Sequence, residues 1–315
     1  MTPQVSILLS THRDRSTLPR ALEPFLASPL DLEIVLVDDG SRDGTREYLA
    51  GLPRERLKVM RMEEPIGLTK ALNLAARAAR GAFLARQDAD DFSHADRLEK
   101  QLARFRQDRG LDILGTGHRI VDSDGAVLAE IHGRNFRNLG KRLLKDNIFC
   151  HGSLMFKADS FRKLNGYREF FRFSQDYDLV LRACHMGLRM ENLAECLYDW
   201  SFSTHSITGS KAGEQARYAE TARRVRGNPD LDPEAAYRAL AGESAGSTTM
   251  NAIPADRKLM EIYLRAGDTN EARRAYHRLK EAGMAGPERR KFAFLSSLPP
   301  WLYRGLRSLS DLRYQ

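Results

Sequence analysis

The first 90 residues alternate between short apolar runs and amphipathic stretches. Val5–Leu9 and Glu33–Val37 are branched, apolar runs bounded by polar residues, the pattern of strands buried on both faces. Leu57–Met62 and Ala82–Ala85 read as a third and a fourth strand. Between them, Arg15–Leu26 sets Leu18, Ala21, Leu22 and Phe25 at helical spacing, and Arg42–Leu49 reads as a helix. Leu68–Ala79 is an Ala/Leu-rich helix stopped by Gly81. This alternation predicts an α/β protein with a doubly wound, mostly parallel sheet and flanking helices. Such sheets bind ligands beyond the carboxyl ends of their strands. Two acidic clusters fall there: Asp38-Asp39-Gly40-Ser41 after the second strand and Asp88-Ala89-Asp90-Asp91 after the fourth.

Further along, Asp96–Gln107 and Asp176–Met186 read as helices and Ser153–Lys157 as a strand. Ile113–Val127 reads as strands about an Asp122-Ser123-Asp124-Gly125 turn, and Leu188–Trp200 as two short strands. After about Ser210 the pattern changes. Lys211–Arg226 and Asp256–Ala282 are helical, with Gly242–Thr249 as a linker. Leu264–Ala282 resembles one helical-hairpin unit, too little for a repeat array. The expected organisation is one domain over residues 1–210, its halves meeting near 115, and a helical extension over 211–315. The tail, residues 296–315, sets Trp301, Leu302, Tyr303 and Leu306 among Arg304, Arg307 and Arg313. It suits a membrane interface, a dock on the protein's own body, or a homodimer contact.

Composition narrows the classes. The chain has 315 residues, 42% hydrophobic and 29% charged, with a mean hydropathy of −0.49. Collagen-like, disordered and disulfide-scaffold classes are excluded. No run approaches the roughly 18 apolar residues of a membrane span. The start, Met1-Thr2-Pro3-Gln4, has no basic leader region. The expectation is a cytoplasmic protein, peripheral at the inner face of the membrane if the tail binds there. Cys150, Cys184 and Cys196 form no C-x-x-C pair and are expected to be reduced, buried thiols. The net charge of +8 suits nucleic acid, anionic lipid or phosphorylated small molecules without choosing among them. The cations are spread out, with no aromatic-interleaved basic motif, so no nucleic-acid partner is expected.

The chemistry begins with Asp88, Asp90 and Asp91. Two or three carboxylates on a tight loop can hold Mg²⁺ or Mn²⁺ while a substrate's phosphates complete the octahedron. A solvated acidic turn with a helix cap is the plainer alternative. Asp38-Asp39 closes an earlier strand, where an acid commonly accepts hydrogen bonds from a nucleoside; helix capping is the alternative. Lys70 and Asn73 follow the third strand and can face a diphosphate, or simply form a surface helix.

Taken in order, these segments resemble glycosyltransferase family 2, with its GT-A fold. They are Val5–Thr11, Glu33–Ser41, Gly67–Asn73 and Arg86–Asp91, continued by His151–Lys157 and Gln175–Leu179. The resemblance ends near Tyr198–Thr208 and spans about 205 residues. It implies Thr11 and Arg13 at the base and ribose, and Asp39 on the base, usually uracil. It implies Lys70 and Asn73 near ribose or diphosphate, Asp88 by ribose or metal, and Asp90 as chief metal ligand. Asp176 is implied as general base, and His205 as a group reaching the metal or diphosphate. The chain departs from the family at Gln175, where Glu is frequent, at Thr11-His12-Arg13, where Thr-Tyr-Asn is common, and at Trp200, where Arg is common.

The implied reaction is inverting transfer of a hexosyl or N-acetylhexosaminyl group from a nucleotide donor, UDP-sugar foremost. The implied acceptor is a saccharide or lipid-linked saccharide in cell-surface polysaccharide synthesis. The mechanism needs a divalent ion, Mn²⁺ or Mg²⁺, at the leaving diphosphate and a carboxylate at the acceptor hydroxyl. Asp176 heads a helix, whose dipole predicts a low pKa for it. His151 reads either as a site residue or as a structural histidine. A sugar nucleotidyltransferase and a non-catalytic nucleotide-binding scaffold are the rival readings. The first would want a glycine-rich loop after the first strand, and Ser10-Thr11-His12-Arg13-Asp14 has none.

Overall fold

The computed structural model describes residues 2–202, 212–228 and 231–244, together with 272–274, 276, 277, 280 and 293. The four expected strands form its centre: β1 (Val5–Thr11), β2 (Leu32–Asp39), β3 (Leu57–Met62) and β4 (Phe83–Asp88). They pair in parallel in the order β3-β2-β1-β4. The connections run from β1 outward to β3 and then back to β4, so the winding reverses between β1 and β4. That reversal opens the crevice in which sheets of this kind bind ligands. Both acidic clusters stand at its rim, since Thr11 pairs with Asp38 and Ser10 with Asp88.

The helices bury the predicted stripes. In α1 (Leu18–Leu26), Leu18, Ala21, Leu22 and Phe25 are buried against the β1 and β2 side chains of the core. After α2 (Thr45–Ala50) comes α3 (Leu68–Ala78), which starts beyond Gly67 at φ +87°. After β4 come the two-residue β5 (Phe92–Ser93), α4 (Arg97–Gln107), β6 (Ile113–Val121) and β7 (Val127–Ile131). A short α5 (Leu139–Leu143) precedes a 3-10 turn at His151–Ser153 and then β8 (Met155–Lys157). Next are α6 (Ala158–Lys163), α7 (Gln175–His185) and β9 (Met190–Ser201). β8 joins the sheet antiparallel to both β4 and β6, and β5 pairs antiparallel with β9. The doubly wound α/β expectation holds. The Leu188–Trp200 stretch holds one long strand, not two, with no turn residue (Gly or Pro) between Met190 and Ser201.

The chain divides into two compact units. One comprises Met1–Ile120, Glu130–Ser201 and Ala222–Asp230; the other comprises Val121–Ala129, Phe202–Thr221 and Leu231–Gln315. Every described site residue below lies in the first. Two helices follow the sheet. α8 (Ala212–Val225) matches its expected span. α9 (Pro233–Ser244) enters the expected linker; Asp232 starts it by accepting the Glu234 and Ala235 N–H groups at 3.0 and 3.1 Å. In the second unit Tyr218 and Tyr237 stack at 4.6 Å. Most of Asp256–Ala282, His205 and the tail lie outside the described residues. Among the described residues no helix is long and apolar enough to cross a membrane. The three cysteines are free and half-buried, less enclosed than expected.

Candidate active site

The carboxyl end of β2 is tied down by its own acids. Asp38, fully buried, accepts the Ser41 N–H at 3.0 Å, and Arg46 approaches its second oxygen at 3.5 Å. Asp39 accepts two backbone donors of the next crossover, Ile66 N–H at 2.6 Å and Gly67 N–H at 2.9 Å. Gly40 is required between them: its φ is +74°, and a Cβ there would lie 3.0 Å from Pro65. At the end of β1, Thr11 is buried and its hydroxyl donates to Asp14 at 3.0 Å. Arg13 adopts φ +62°, with its N–H on the Ser41 hydroxyl at 3.0 Å. A non-glycine residue in this region stores strain of the kind that collects at functional loops. Its side chain is exposed at the crevice rim.

The end of β4 is built differently. Arg86, 1% exposed, folds back to pair with Asp88 and to donate to the Gln87 carbonyl. Gln87 holds the loop through the Asp88 and Asp91 carbonyls at 2.9 and 3.1 Å. Asp91 is buried, accepting Tyr198 OH at 2.9 Å and Ser201 N–H at 2.7 Å; it is a strut to β9. Asp90 reaches solvent while protein encloses its other sides. That enclosure, with the carboxylates of Asp88 and Asp14, pushes it up to about 6. Among the described residues no donor from another residue reaches it.

α7 brings the third element. Ser174 at φ +56° turns the chain into the helix, and Asp176 sits in its first turn. Asn147 Nδ2 donates to Asp176 Oδ2 at 2.8 Å. Burial raises the Asp176 carboxyl to about 6, with Asp88 adding to the rise and the local N–H groups opposing it. The low pKa expected from the helix dipole is therefore overturned: desolvation exceeds the pull of the helix terminus. Asp178, two residues on, is fully buried against Arg182 at 2.8 Å and Arg168 at 3.6 Å. It belongs to the scaffold.

The expected site residues thus separate. Thr11, Arg13, Asp39, Asp88, Asp90 and Asp176 sit on elements that end at this crevice or face it. Lys70 is exposed on α3. Asn73 is corrected: it is buried, and its amide brackets the Tyr167 backbone at 2.8 and 2.9 Å, so both its polar atoms are engaged away from a diphosphate. His151 is structural. Its Nε2 lies 2.8 Å from Tyr167 OH, and burial and Arg86 press its pKa to about 3. The sequence assigns no role to Arg86, Arg97, Asn147 or Tyr198, and Asp91, a possible third carboxylate for a divalent ion, is a strut instead. Arg86 lies where the apolar run Phe83–Ala85 passes into the polar end of β4, so no local signal marks it as buried. Arg97 leaves no local trace either, since α4 is rich in charge; fully buried, it ties Gly152 and Arg86 carbonyls at 3.0 and 3.1 Å.

A divalent ion fits the donor chemistry at Asp88 and Asp90. Like charges crowd there, one carboxylate is open to solvent, and oxygen donors suit Mg²⁺ or Mn²⁺. Among the described residues no group of three or more His, Cys, Asp or Glu side chains is arranged as a metal cage.

Comparison with known proteins agrees with this architecture. The sequence model described as glycosyl transferase family 2 matches residues 6–164. The putative glycosyltransferase EpsE of Bacillus subtilis is 34% identical over 207 residues, 62% of this chain and 72% of EpsE. The O-antigen biosynthesis glycosyltransferase WbnJ of Escherichia coli is 32% identical over 215 residues, 65% of this chain and 82% of WbnJ. In fold, the chain is similar to the mannosyltransferase PcManGT from Pyrobaculum calidifontis, solved in complex with GDP-Man and Mn²⁺. Their TM-score is 0.59 at 18% identity, covering 99% of this chain and 88% of PcManGT. Sheet order, matched segments and relatives lead to one assignment: the chain is a glycosyltransferase and belongs to glycosyl transferase family 2.

Proposed function

We propose that this glycosyltransferase acts with inversion, moving a hexose or N-acetylhexosamine from a nucleoside diphosphate, UDP-sugar first. The acceptor is a hydroxyl of a saccharide or lipid-linked saccharide in cell-surface polysaccharide synthesis. The observation carrying the reading is the raised carboxyl of Asp176, which feels the Asp88 charge. A base poised near neutral pH takes a proton more readily than one near the ordinary value of about 4. Asp176 accepts the proton of the acceptor hydroxyl as that oxygen bonds to the anomeric carbon. The bond from that carbon to the diphosphate oxygen breaks, and its electron pair leaves with the diphosphate. Attack from the opposite face inverts the centre. Asn147 orients Asp176, and Arg86 holds Asp88 in place. Thr11, Arg13 and Asp39 line the nucleoside, and Lys70 serves the diphosphate. Asp90 and Asp88 would hold Mn²⁺ or Mg²⁺, which when bound offsets the charge of the departing diphosphate. His205 is the proposed third protein ligand. The Mn²⁺ in the PcManGT complex supports a divalent ion, and its GDP-Man makes the base the first thing to test. The tail's Trp, Tyr and arginines support peripheral membrane contact at the cytoplasmic face.

The test is calorimetric titration of UDP and GDP in Mn²⁺, Mg²⁺ and EDTA, for the wild type and Asp90→Ala. UDP should bind at least about tenfold more tightly with metal, and Asp90→Ala should abolish the difference. Equal affinity in EDTA sinks the metal assignment; preference for GDP corrects the donor.

A further inference from the structure

Residues 131–146 carry five cations, Arg134, Arg137, Lys141, Arg142 and Lys145, against one carboxylate, Asp146. Arg142 approaches that carboxylate at 3.9 Å. Arg134, Arg137, Lys141 and Lys145 are exposed, and among the described residues none lies in an ion pair. Large apolar side chains stand exposed among them: Ile131 at 39%, Phe136 at 37% and Leu144 at 39%. The Arg142 guanidinium lies 5.7 Å from the centre of the Phe136 ring, which puts cation and aromatic on one surface.

The backbone beneath is held in place. Gly133 N–H donates to the Ala194 carbonyl at 3.2 Å. The Asn135 side chain brackets the Asn192 backbone at 2.7 and 3.1 Å. Asn138 caps α5 through Lys141 N–H at 3.1 Å. Leu143 is buried and its carbonyl accepts from Tyr177 OH. A fixed platform therefore presents its cations and apolar side chains to solvent. A merely solvated basic face has no use for exposed Phe136 and Leu144, and an apolar contact between proteins would not gather four unpaired cations. Exposed apolar side chains interspersed with Lys and Arg along one short segment match the interface of a bilayer with anionic headgroups.

We propose that residues 131–146 form a docking surface for an anionic lipid bilayer. Phe136 and Leu144 enter the interface, and Arg134, Arg137, Lys141 and Lys145 face the lipid phosphates. This surface is separate from the tail and does not depend on the catalytic reading. Its position matters for that reading, because α5 is bolted to α7 by Tyr177, and Asn147, next along the chain, holds Asp176. A docked platform sets the first turn of α7 beside the bilayer.

The experiment is co-sedimentation of the full chain with vesicles of phosphatidylglycerol and phosphatidylcholine, against vesicles of phosphatidylcholine alone. The wild type should bind the first and not the second, and about 0.5 M salt should weaken it. A surface cation contributes about fivefold in affinity, so R134E/R137E/K141E, which loses three and adds repulsion, should bind at least about 100-fold more weakly. The control R54E/R77E/R106E, with equal charge reversed at exposed sites elsewhere, should lose less than about tenfold. F136S/L144S should bind more weakly while keeping its salt dependence. Circular dichroism and melting check each fold, and R134Q/R137Q/K141Q replaces the reversed triple if it does not fold. Undiminished binding of that triple overturns the proposal and assigns vesicle binding elsewhere, the tail included. An equal loss in both triples overturns it in favour of diffuse charge. A wild type that ignores vesicles but retains duplex RNA overturns it in favour of nucleic acid.

Discussion

Two strand ends in this sheet carry runs of aspartate, and their surroundings differ. At β2, folding supplies the partners: Ser41 N–H serves Asp38, and Ile66 and Gly67 N–H serve Asp39. At β4 Asp91 is served by Tyr198 and Ser201, and one oxygen of Asp88 by Arg86. Asp90 faces the carboxylates of Asp88 and Asp14 instead. α7 repeats the contrast within one turn. Asp178 has two guanidinium groups, whereas among the described residues Asp176 has only neutral donors, the Asn147 amide and the N–H groups of its own turn. Backbone amides and buried arginines finish a carboxylate within the fold. A carboxylate left facing its own kind is completed by a proton, a cation or a substrate, which is why perturbed groups gather at working sites.

The contrast breaks most visibly at Asp176. Asp176→Asn should lower kcat by about 10²–10⁴-fold while donor affinity stays within a few-fold. Its sign in stability is equally specific. The folded pKa of about 6 lies above the ordinary value. The folded state therefore holds this proton more tightly than the unfolded chain does. Stability from the group is full in acid and is lost as pH rises from about 4 through about 6. The neutral Asn avoids that loss, so the variant should melt higher than wild type at pH 8. The same ionisation should make wild-type kcat/KM fall tenfold per pH unit below about 6. A fully active, less stable Asp176→Asn would erase the distinction from Asp178.

Asp178→Asn should behave in the opposite way. It strands Arg182 and Arg168 without their carboxylate, at a cost of about 3–5 kcal/mol for a broken buried pair. Denaturant melts should show the loss, and the fraction that remains folded should keep its turnover.

Much of this was legible beforehand. The four parallel strands, the stripe Leu18-Ala21-Leu22-Phe25 and the acids at strand ends follow from periodicity and punctuation. Two kinds of feature did not. Short elements such as α5 and α6 have too few residues to show a period, and tertiary packing fixes them. Interactions between distant segments leave no local trace: Asn147 on Asp176 spans 29 residues, and Asn73 on Tyr167 spans 94. That is why Asn73 read as a phosphate contact and Asn147 did not register. The Asp176 pKa was misjudged for a related reason. The helix dipole can be read from spacing, whereas the burial that outweighs it is a property of the assembled fold. At α9 the Asp232-Pro233-Glu234 start is a local sign of a helix, which runs on into the stretch expected as a linker.

The smallest effect is the sharpest test of whether the two strand ends work independently. Asp39→Asn keeps one carbonyl oxygen to accept from Ile66 or Gly67, but turns an amide donor toward the other N–H. One half-buried hydrogen bond is then lost, which costs about 1 kcal/mol and loosens the loop from Pro65 to Gly67. UDP affinity should fall by about tenfold, since that loop borders the proposed nucleoside site. The Asp88–Asp90 loop lies on another strand and shares no hydrogen bond with Asp39 among the described residues. The ratio of UDP affinity in Mn²⁺ to that in EDTA should therefore stay at its wild-type value in Asp39→Asn. Titrating both variants side by side makes the comparison direct: one should lose affinity and keep the ratio, the other should lose the ratio. If Asp39→Asn also collapses the ratio, the end of β2 supports the metal loop, and the division between a finished acid cluster and an unfinished one is wrong.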